Sequence, residues 1–592
     1  MSPRIRVLPD QIRNLIAAGE VVDRPASVIK ELLENSIDAG ATSIDITIEG
    51  GGRTLLAVAD DGEGMSRDDA LRSLERHATS KLRTAEDLGS IGTLGFRGEA
   101  LPAISSVSDL TLITRVRESD AATATRVRYG KREEPIDAPR AAGTTVEVRS
   151  LFARTPARSR FLKSNATEVR WITQVVTAYA MGYPAIAFSY SVNGRRHGRY
   201  LAAADSAERI RDVLGGGIHW ASLELSGEPS GLAAGIQGLI SEPDVGRSSA
   251  GHIYFFVNRR WIASRPLMQT LLRAYSPFLP QRRYPAAVIY LEMPPESVDV
   301  NVHPTKREVR FRESGKVCND LFRAVENRLR DLRRGRFPAG GGVAETRSSY
   351  PIRISPASPG VPQQVEGIPP EMLARMVRPA EEVAEEVGPG AFEKGDGSPG
   401  PRLIATLAET YLLAVDGDDL VLIDQHAAHE RILYEQAQRA LEGSPPARQA
   451  LLLPLTLELT PQEAQALEEY RDDLEKLGFE IGPFGGRSVL VEATPADLKR
   501  WENGQVLMDI LDEMGQASSV PDDRVSHVAA SFACHTAVRA GDSLNPQEQT
   551  ALLSRLFACK DWHRCPHGRP TVVRVDRAEI ERRFRRPSPS KR

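Results

Sequence analysis

The sequence predicts a multidomain protein of mixed α+β and α/β class, and three observations carry that expectation. At 592 residues the chain is too long for one hydrophobic core. Period-two apolar strands alternate with amphipathic helical stretches on both sides of a long break, the pattern of sheets covered by helices. The break itself, residues 336–400, is rich in proline, glycine and serine, and such composition buries no core. The expected division is a first domain over 1–215, a second over 216–335, a flexible linker over 336–400 and a C-terminal domain over 401–592. As a coil the linker spans roughly 45 Å r.m.s., enough for the flanking domains to meet or part.

Composition narrows the class. Hydrophobic content of 41% and charged content of 26% are ordinary for globular protein, and 76 basic against 79 acidic residues exclude a uniformly basic surface. Nucleic-acid binding then has to come from local patches. Of the cysteines Cys318, Cys534, Cys559 and Cys565, three fall in the last 59 residues. No apolar leader opens the chain and no run of about 18 apolar residues occurs, so the expectation is a cytoplasmic protein with reduced thiols and no membrane partner.

The first domain is organised around Lys30–Gly40. As a helix this stretch places Glu31, Asn35 and Asp38 on one face and Ile29, Leu32, Leu33 and Ile37 on the other, with Gly40 as its stop. A carboxylate one turn from an amide can place a general base beside a ligand for a hard metal; a solvated acidic face is the plainer alternative. Ser43–Glu49 alternates apolar and polar residues as a half-buried strand, and Thr54–Ala59 is a second strand ending in Asp60-Asp61-Gly62-Glu63-Gly64. Asp60 there can accept from an exocyclic amine while Gly62 and Gly64 admit a base closely; a strand-to-helix turn is equally compatible. His77-Ala78-Thr79-Ser80-Lys81 is a polar cluster, and Gly92–Leu101 repeats glycine every third residue before a helix at Glu99. Such a loop offers backbone N–H groups to phosphate oxygens. No GxxxxGK(S/T) string exists, and the one GxGxxG string, Gly395–Gly400, has neither a preceding strand nor a following helix.

In order and spacing these blocks resemble the nucleotide motifs of the GHKL ATPases: Glu31–Gly40, Asp60-x-Gly62-x-Gly64, Gly95-Phe96-Arg97-Gly98-Glu99-Ala100-Leu101 and Gly143–Val148. With His77–Lys81 and the Phe-Arg-Gly-Glu-Ala-Leu string, the similarity is to the DNA mismatch repair MutL family within that group. The resemblance implies a Bergerat-type ATPase sandwich binding ATP and Mg²⁺. It implies Glu31 as general base, Asn35 as Mg²⁺ ligand and Asp60 as adenine reader, with Gly62, Gly64, Thr79 and Thr144 around the nucleotide. Gly95, Phe96, Arg97 and Gly98 would belong to a lid over the phosphates. Arg154 stands where the family usually has Asn.

From about Gly216 strands with crossing helices are expected, with Ile253–Arg260 and Ala287–Leu291 as strand cores. Arg265, Arg273, Arg282 and Arg283 between them are candidates for DNA backbone contacts. Asp299–Phe311 is similar to the signature of the family's transducer domain, of ribosomal-protein-like α/β fold. That similarity implies that Lys306 reaches the γ-phosphate, where an ammonium serves as a point charge.

In the C-terminal domain the buried strand Leu420–Ile423 leads into Asp424-Gln425-His426-Ala427-Ala428-His429-Glu430. His426 and Glu430 share a helical face and Asp424 can point the same way, a nitrogen and oxygen set used by divalent metals. Cys534-His535 and Cys565-Pro566-His567-Gly568 follow far downstream, the second a plausible half of a zinc site. Together these segments, with Phe584-Arg585-Arg586, resemble the endonuclease motifs of the same family, His535 standing where Arg is frequent. The resemblance implies a metal site of Asp424, His426, Glu430, Cys534, Cys565 and His567 holding Zn²⁺ and/or Mn²⁺, with Asp424 and Glu430 catalytic. Gln449–Pro454 resembles the peptide by which such proteins dock on a sliding clamp. The expected protein is a nucleoid-associated homodimeric clamp that binds DNA without sequence preference, answers to the mismatch-recognition protein MutS and nicks DNA. The alternatives are a scaffold whose C-terminal metal residues are purely structural and a gyrase-like topoisomerase, for which no strand-cleaving tyrosine motif is found.

Overall fold

The computed structural model describes residues 22–79, 94–95, 98–215, 217–225, 235–243, 246–279, 283–299, 309–336, 400–498, 501–516, 523–538, 542 and 544–583. Phe96, Arg97, Arg282, Lys306, Phe584–Arg586 and nearly all of the expected linker lie outside the described residues.

Helix α1, Pro25–Asp38, begins earlier than its apolar face suggests. Pro25 sits in the first turn, where a missing N–H costs nothing. Val28, Ile29, Leu32 and Leu33 are buried against the sheet, and Gly40 at φ +68° ends the helix in a left-handed conformation. The sheet comprises β1 (Ser43–Glu49), β2 (Leu55–Asp60), β3 (Asp109–Arg115), β4 (Ala122–Arg128), β5 (Lys131–Arg132), β6 (Ile136–Ala138), β7 (Gly143–Arg149), β8 (Ala187–Val192) and β9 (Arg195–Tyr200). Its order is β5-β4-β3-β7-β2-β1-β8-β9, with β6 on β4. Along β1, Ile44, Ile46 and Ile48 are buried in the period-two pattern their spacing predicts. Helix α2, Asn165–Gly182, packs beside α1 on the same face.

The second sheet follows: β10 (Trp220–Leu225), β11 (Gly235–Ser241), β12 (Ile253–Val257), β13 (Arg260–Ile262) and β14 (Ala287–Glu292), in the order β10-β11-β14-β12-β13. Its two faces belong to different cores. Tyr254, Phe256, Val288 and Tyr290 join the core of the first domain, and Tyr290 donates to the Met181 carbonyl at 2.8 Å. Phe255, Ile289 and Leu291 face the other way, with helices α3 (Arg265–Tyr275) and α4 (Ser314–Arg336). The near-continuous apolar runs of β12 and β14 follow from burial on both faces. A small ladder of β15 (Val298–Asp299) and β16 (Arg310–Phe311) completes this part.

Among the described residues the C-terminal part has two sheets and two main cores, beside a small third cluster of Leu433, Ala533 and Ala537. One sheet is β17 (Arg402–Leu407), β18 (Tyr411–Asp416), β19 (Asp419–Asp424) and, from far along the chain, β23 (Val572–Val575). The other joins β20 (Arg448–Glu458), β21 (Glu480–Gly485) and β22 (Ser488–Pro495) in the order β20-β22-β21. The helices among the described residues are α5 (Gln425–Leu441), α6 (Pro461–Lys476), α7 (Gln505–Gln516), α8 (Arg524–Thr536), α9 (Pro546–Phe557) and the short α10 (Arg577–Arg583). α5 bridges the cores, with Ala428 and Ile432 in the first and Ala437, Ala440 and Leu441 in the second. No helix among the described residues is long and apolar enough to cross a membrane.

Candidate functional sites

The first site is a cleft of about 720 Å³ between α1, the central strands and the loops that follow them. Its walls bring together Glu31, Asn35, Asp60, Gly64, Thr79 and Thr144, with Gly95 and Gly98 at its edge. Residues from five separate stretches of sequence therefore meet at one place, as their motif order anticipates. Gly62 stands behind the wall rather than in it: its N–H donates to Asp60 Oδ1 at 3.0 Å.

Asp60 ends β2 at the cleft floor and is buried. Ser36 Oγ donates to its Oδ2 at 2.7 Å, and the Thr144 N–H donates to Oδ1 at 3.1 Å. Burial pushes its carboxyl above the usual range, against the lowering pull of these hydrogen bonds. Two glycines are dictated by close approach. A Cβ on Gly64, at φ +72°, would lie 2.0 Å from the Arg115 carbonyl oxygen, and one on Gly98, at φ +60°, would lie 2.4 Å from that of Ala78.

Three residues that the motif reading left without a role are tied into the cleft. Asp38 lies on the same helical face as Glu31 and Asn35. Its two carboxylate oxygens accept from the Leu94 and Gly95 N–H groups, each at 3.0 Å, and so tie the glycine box to α1. Lys30 places its ammonium 3.2 Å from Glu31 and 2.9 Å from Glu34, which also accepts from the Tyr179 hydroxyl at 2.6 Å. Burial pulls the Lys30 ammonium down, but the two carboxylates outweigh it and leave it raised, so the charge beside Glu31 is permanent. Arg260 of the second sheet donates to the Leu94 carbonyl at 3.3 Å, a contact no local pattern could reveal. The apolar spacing of α1 gives Asp38 away in sequence, because it puts that carboxylate on the cleft side.

The second site lies where α5, α8 and the loop before β23 converge. Glu430, Cys534 and His567 offer three ligand atoms within 4.8 Å of one another. Glu430 is 2% exposed. Burial would raise its carboxyl, but hydrogen bonds from His426 and His567 hold it well below the usual range. His426 Nε2 lies 3.1 Å from Glu430 Oε1 and its Nδ1 lies 2.7 Å from the Val538 carbonyl oxygen. His567 Nδ1 lies 3.3 Å from Glu430 Oε2; Cys534 first and Glu430 second raise this imidazole to about 11. Cys565 is buried and hydrogen-bonds the Glu430 side chain, outside the group of three. Asp424 is not among the three either: its Oδ1 accepts from the Ala427 N–H at 3.0 Å and caps α5.

One carboxylate, one thiol and one imidazole at this spacing fit a zinc-type ion, with His426 and Cys565 supporting Glu430 from behind. His535, one residue on from Cys534, lies 2.8 Å from Glu513 on α7, and hydrogen bonds from His535 and Ser531 overcome burial to hold that carboxyl near 2. The expected clamp-docking peptide also has a definite setting. The β20–β22 register breaks between Ala450 and Leu455, leaving Leu452 and Leu453 98% and 81% exposed while Leu451 packs on the core.

Three family models match successive parts of the chain. Residues 23–151 match the family described as "Histidine kinase-, DNA gyrase B-, and HSP90-like ATPase". Residues 210–330 match "DNA mismatch repair protein, C-terminal domain", and 404–544 match "MutL C terminal dimerisation domain". A DNA mismatch repair protein MutL of Anaeromyxobacter sp. (strain K) is 40% identical over 99% of this chain and 100% of its own length. That of Geobacter sulfurreducens is 39% identical over the same shares. Among solved structures, the Aquifex aeolicus MutL ATPase domain complexed with ADP aligns at 27% identity and a TM-score of 0.35, covering 46% of this chain and 94% of that one. With an ATPase domain at one end, a dimerisation domain at the other and whole-length relatives of a single kind, the chain belongs to the DNA mismatch repair MutL family.

Proposed function

We propose that this protein is an ATP-gated homodimeric clamp that couples mismatch recognition to metal-dependent nicking of DNA. The observation that supports it best is the coexistence, in one chain, of the Asp60 cleft and the Glu430–Cys534–His567 group. In the cleft Asp60 accepts from the adenine amine, the geometry its Ser36 and Thr144 partners hold it in. Glu31 takes the proton of the attacking water, and Asn35, one turn on, is the protein ligand to Mg²⁺. Backbone N–H groups of Gly95 and Gly98 bind phosphate, with Phe96, Arg97 and Lys306 completing the enclosure. Asp38 couples that enclosure to α1, so nucleotide binding orders the box and draws the N-terminal domains of the dimer together around DNA.

In the C-terminal site Glu430, Cys534 and His567 would hold a zinc ion, and Asp424, at the end of β19, would contribute charge for a harder Mn²⁺ or Mg²⁺. A bound ion there would supply an activated water and a counter-charge for the phosphate. His426 and Cys565 keep the Glu430 carboxylate charged and aimed. Leu452 and Leu453 are the apolar anchors for a sliding clamp, and MutS is the mismatch sensor to which the protein responds.

The competing reading is a scaffold with structural zinc only, which the Cys and His donors would also satisfy. Asp424→Asn separates the two. Asparagine caps a helix as well as aspartate does, so the substitution removes charge and leaves α5 intact. Nicking of closed circular DNA with Mn²⁺ is expected to vanish while ATP hydrolysis and dimer content hold. Equal nicking by parent and variant removes Asp424 from the reaction, and a parent that nicks under no metal or clamp condition establishes the scaffold.

A further inference from the structure

The two halves of the chain meet across a face made of charge. On the N-terminal side it presents Arg170 and Thr173 of α2, then Arg247, Ser248, Ser249 and Arg283 from the second sheet's surroundings. On the C-terminal side stand Glu463, Gln465 and Glu469 of α6 with Asp509 and Asp512 of α7. Arg283 grips Asp509 through two parallel bonds of 2.7 and 2.6 Å. Arg170 meets Glu469 at 2.8 Å in a part-buried pair, and Arg247 meets Glu463 at 3.2 Å in a buried one. Asp512 accepts from the Ser248 and Ser249 hydroxyls, each at 2.8 Å, and from the Ser249 N–H at 3.1 Å. In all three of these ion pairs the guanidinium is on the N-terminal half and the carboxylate on the C-terminal half.

We propose that α6 and α7 form an acidic clasp that covers a phosphate-binding face of the N-terminal half, so that the clasp and the DNA backbone compete for Arg170, Arg247 and Arg283. This rests on the reading of the chain as a DNA-handling protein. A guanidinium fork takes phosphate oxygens in the same bidentate geometry in which Arg283 takes Asp509. Contacts built from ion pairs and hydroxyls, unlike an apolar seam, exchange one anion for another without exposing hydrophobic surface. The clasp also touches the second site: α7 carries Glu513, paired with His535 next to Cys534, so release of α7 is felt at the metal-ligating helix.

The test uses the full-length, nucleotide-free protein and reads two independent quantities. One is the radius of gyration by small-angle scattering without DNA; the other is affinity for a short duplex by fluorescence anisotropy at fixed salt. Asp509→Arg should expand the chain and tighten duplex binding at least tenfold. Arg283→Glu should expand it without that gain and lower the salt dependence by about one counterion. The exchanged pair Arg283→Glu with Asp509→Arg should restore the parent radius, and Asp512→Asn, a milder change, should reproduce part of the Asp509→Arg effect. Unchanged radii in the folded single variants overturn the clasp. Expansion with unchanged duplex affinity overturns the competition alone, and a parent that binds no duplex overturns the DNA-handling reading while the radii still report on the clasp.

Discussion

Asp38→Ala is the sharpest perturbation of the nucleotide cleft, because the residue touches the glycine box and nothing in its bonding to Leu94 and Gly95 contributes to the sheet. The substitution deletes two hydrogen bonds from a carboxylate to backbone N–H groups, each 3.0 Å long. Bonds to charged acceptors contribute about 1.5–3 kcal/mol apiece; at a partly exposed loop solvent competition brings this to about 1–1.5 kcal/mol apiece, giving about 2–3 kcal/mol for the pair. If the box must be anchored for phosphate to bind, that loss appears as an ATP dissociation constant raised roughly 30- to 150-fold. Isothermal titration with a non-hydrolysable ATP analogue measures it, and a thermal melt of the nucleotide-free protein controls for folding. A dissociation constant within twofold of the parent, with an unchanged melt, would refute the anchoring role of Asp38.

Three further outcomes are expected. Leu452→Ala with Leu453→Ala should abolish sliding-clamp stimulation of nicking and leave the circular dichroism melt in place, because both side chains are exposed; a lowered melt would make them packing residues. Zinc content should fall more in Cys534→Ser than in Cys565→Ser, since only the former belongs to the group of three; the reverse order in metal analysis would relocate the site. Metal affinity should rise with pH. His567, raised to about 11, keeps its proton between the usual imidazole value near 6.5 and that limit, so metal-free stability from this contact is full below about 6.5 and is lost progressively as pH climbs from there to about 11. An entering ion must displace that proton. Chelator competition should therefore show weaker zinc retention at pH 6 than at pH 8, with proton release on binding; pH-independent retention would contradict it.

The local chemistry of both sites was legible in the chain because it sits on short, strongly patterned segments. The apolar spacing of Ile29, Leu32 and Leu33 sets the orientation of α1, and with it the shared face of Glu31, Asn35 and Asp38. The alternation in β1 and the position of Asp60 at the end of β2 follow from the same kind of pattern. What sequence periodicity missed depends on long-range packing. Nothing near Arg260 signals its bond to Leu94, 166 positions away. The split of the C-terminal part into two cores arises because α5 is apolar on two sides and β23 returns to pair with β19. Asp424 satisfies two readings at once, strand-end carboxylate and helix cap, and only the fold shows that its side chain spends one oxygen on Ala427. Nothing in the local sequence of α6 and α7 signals that the arginines of the other half are set against their acidic residues.

The proposed function requires two chemically independent sites in one chain, an ATPase cleft around Glu31 and a metal-dependent nuclease around Glu430. It is tested most directly by measuring ATP turnover and nicking of closed circular DNA side by side in Glu31→Ala and Glu430→Gln. Glu31→Ala should bind ATP, lose turnover by about 10²–10⁴-fold as general-base loss does, and retain basal nicking with Mn²⁺. Glu430→Gln should turn over ATP at the parent rate and fail to nick. Nicking by Glu430→Gln at the parent rate would contradict the nuclease site, and undiminished turnover in Glu31→Ala would contradict the ATPase cleft.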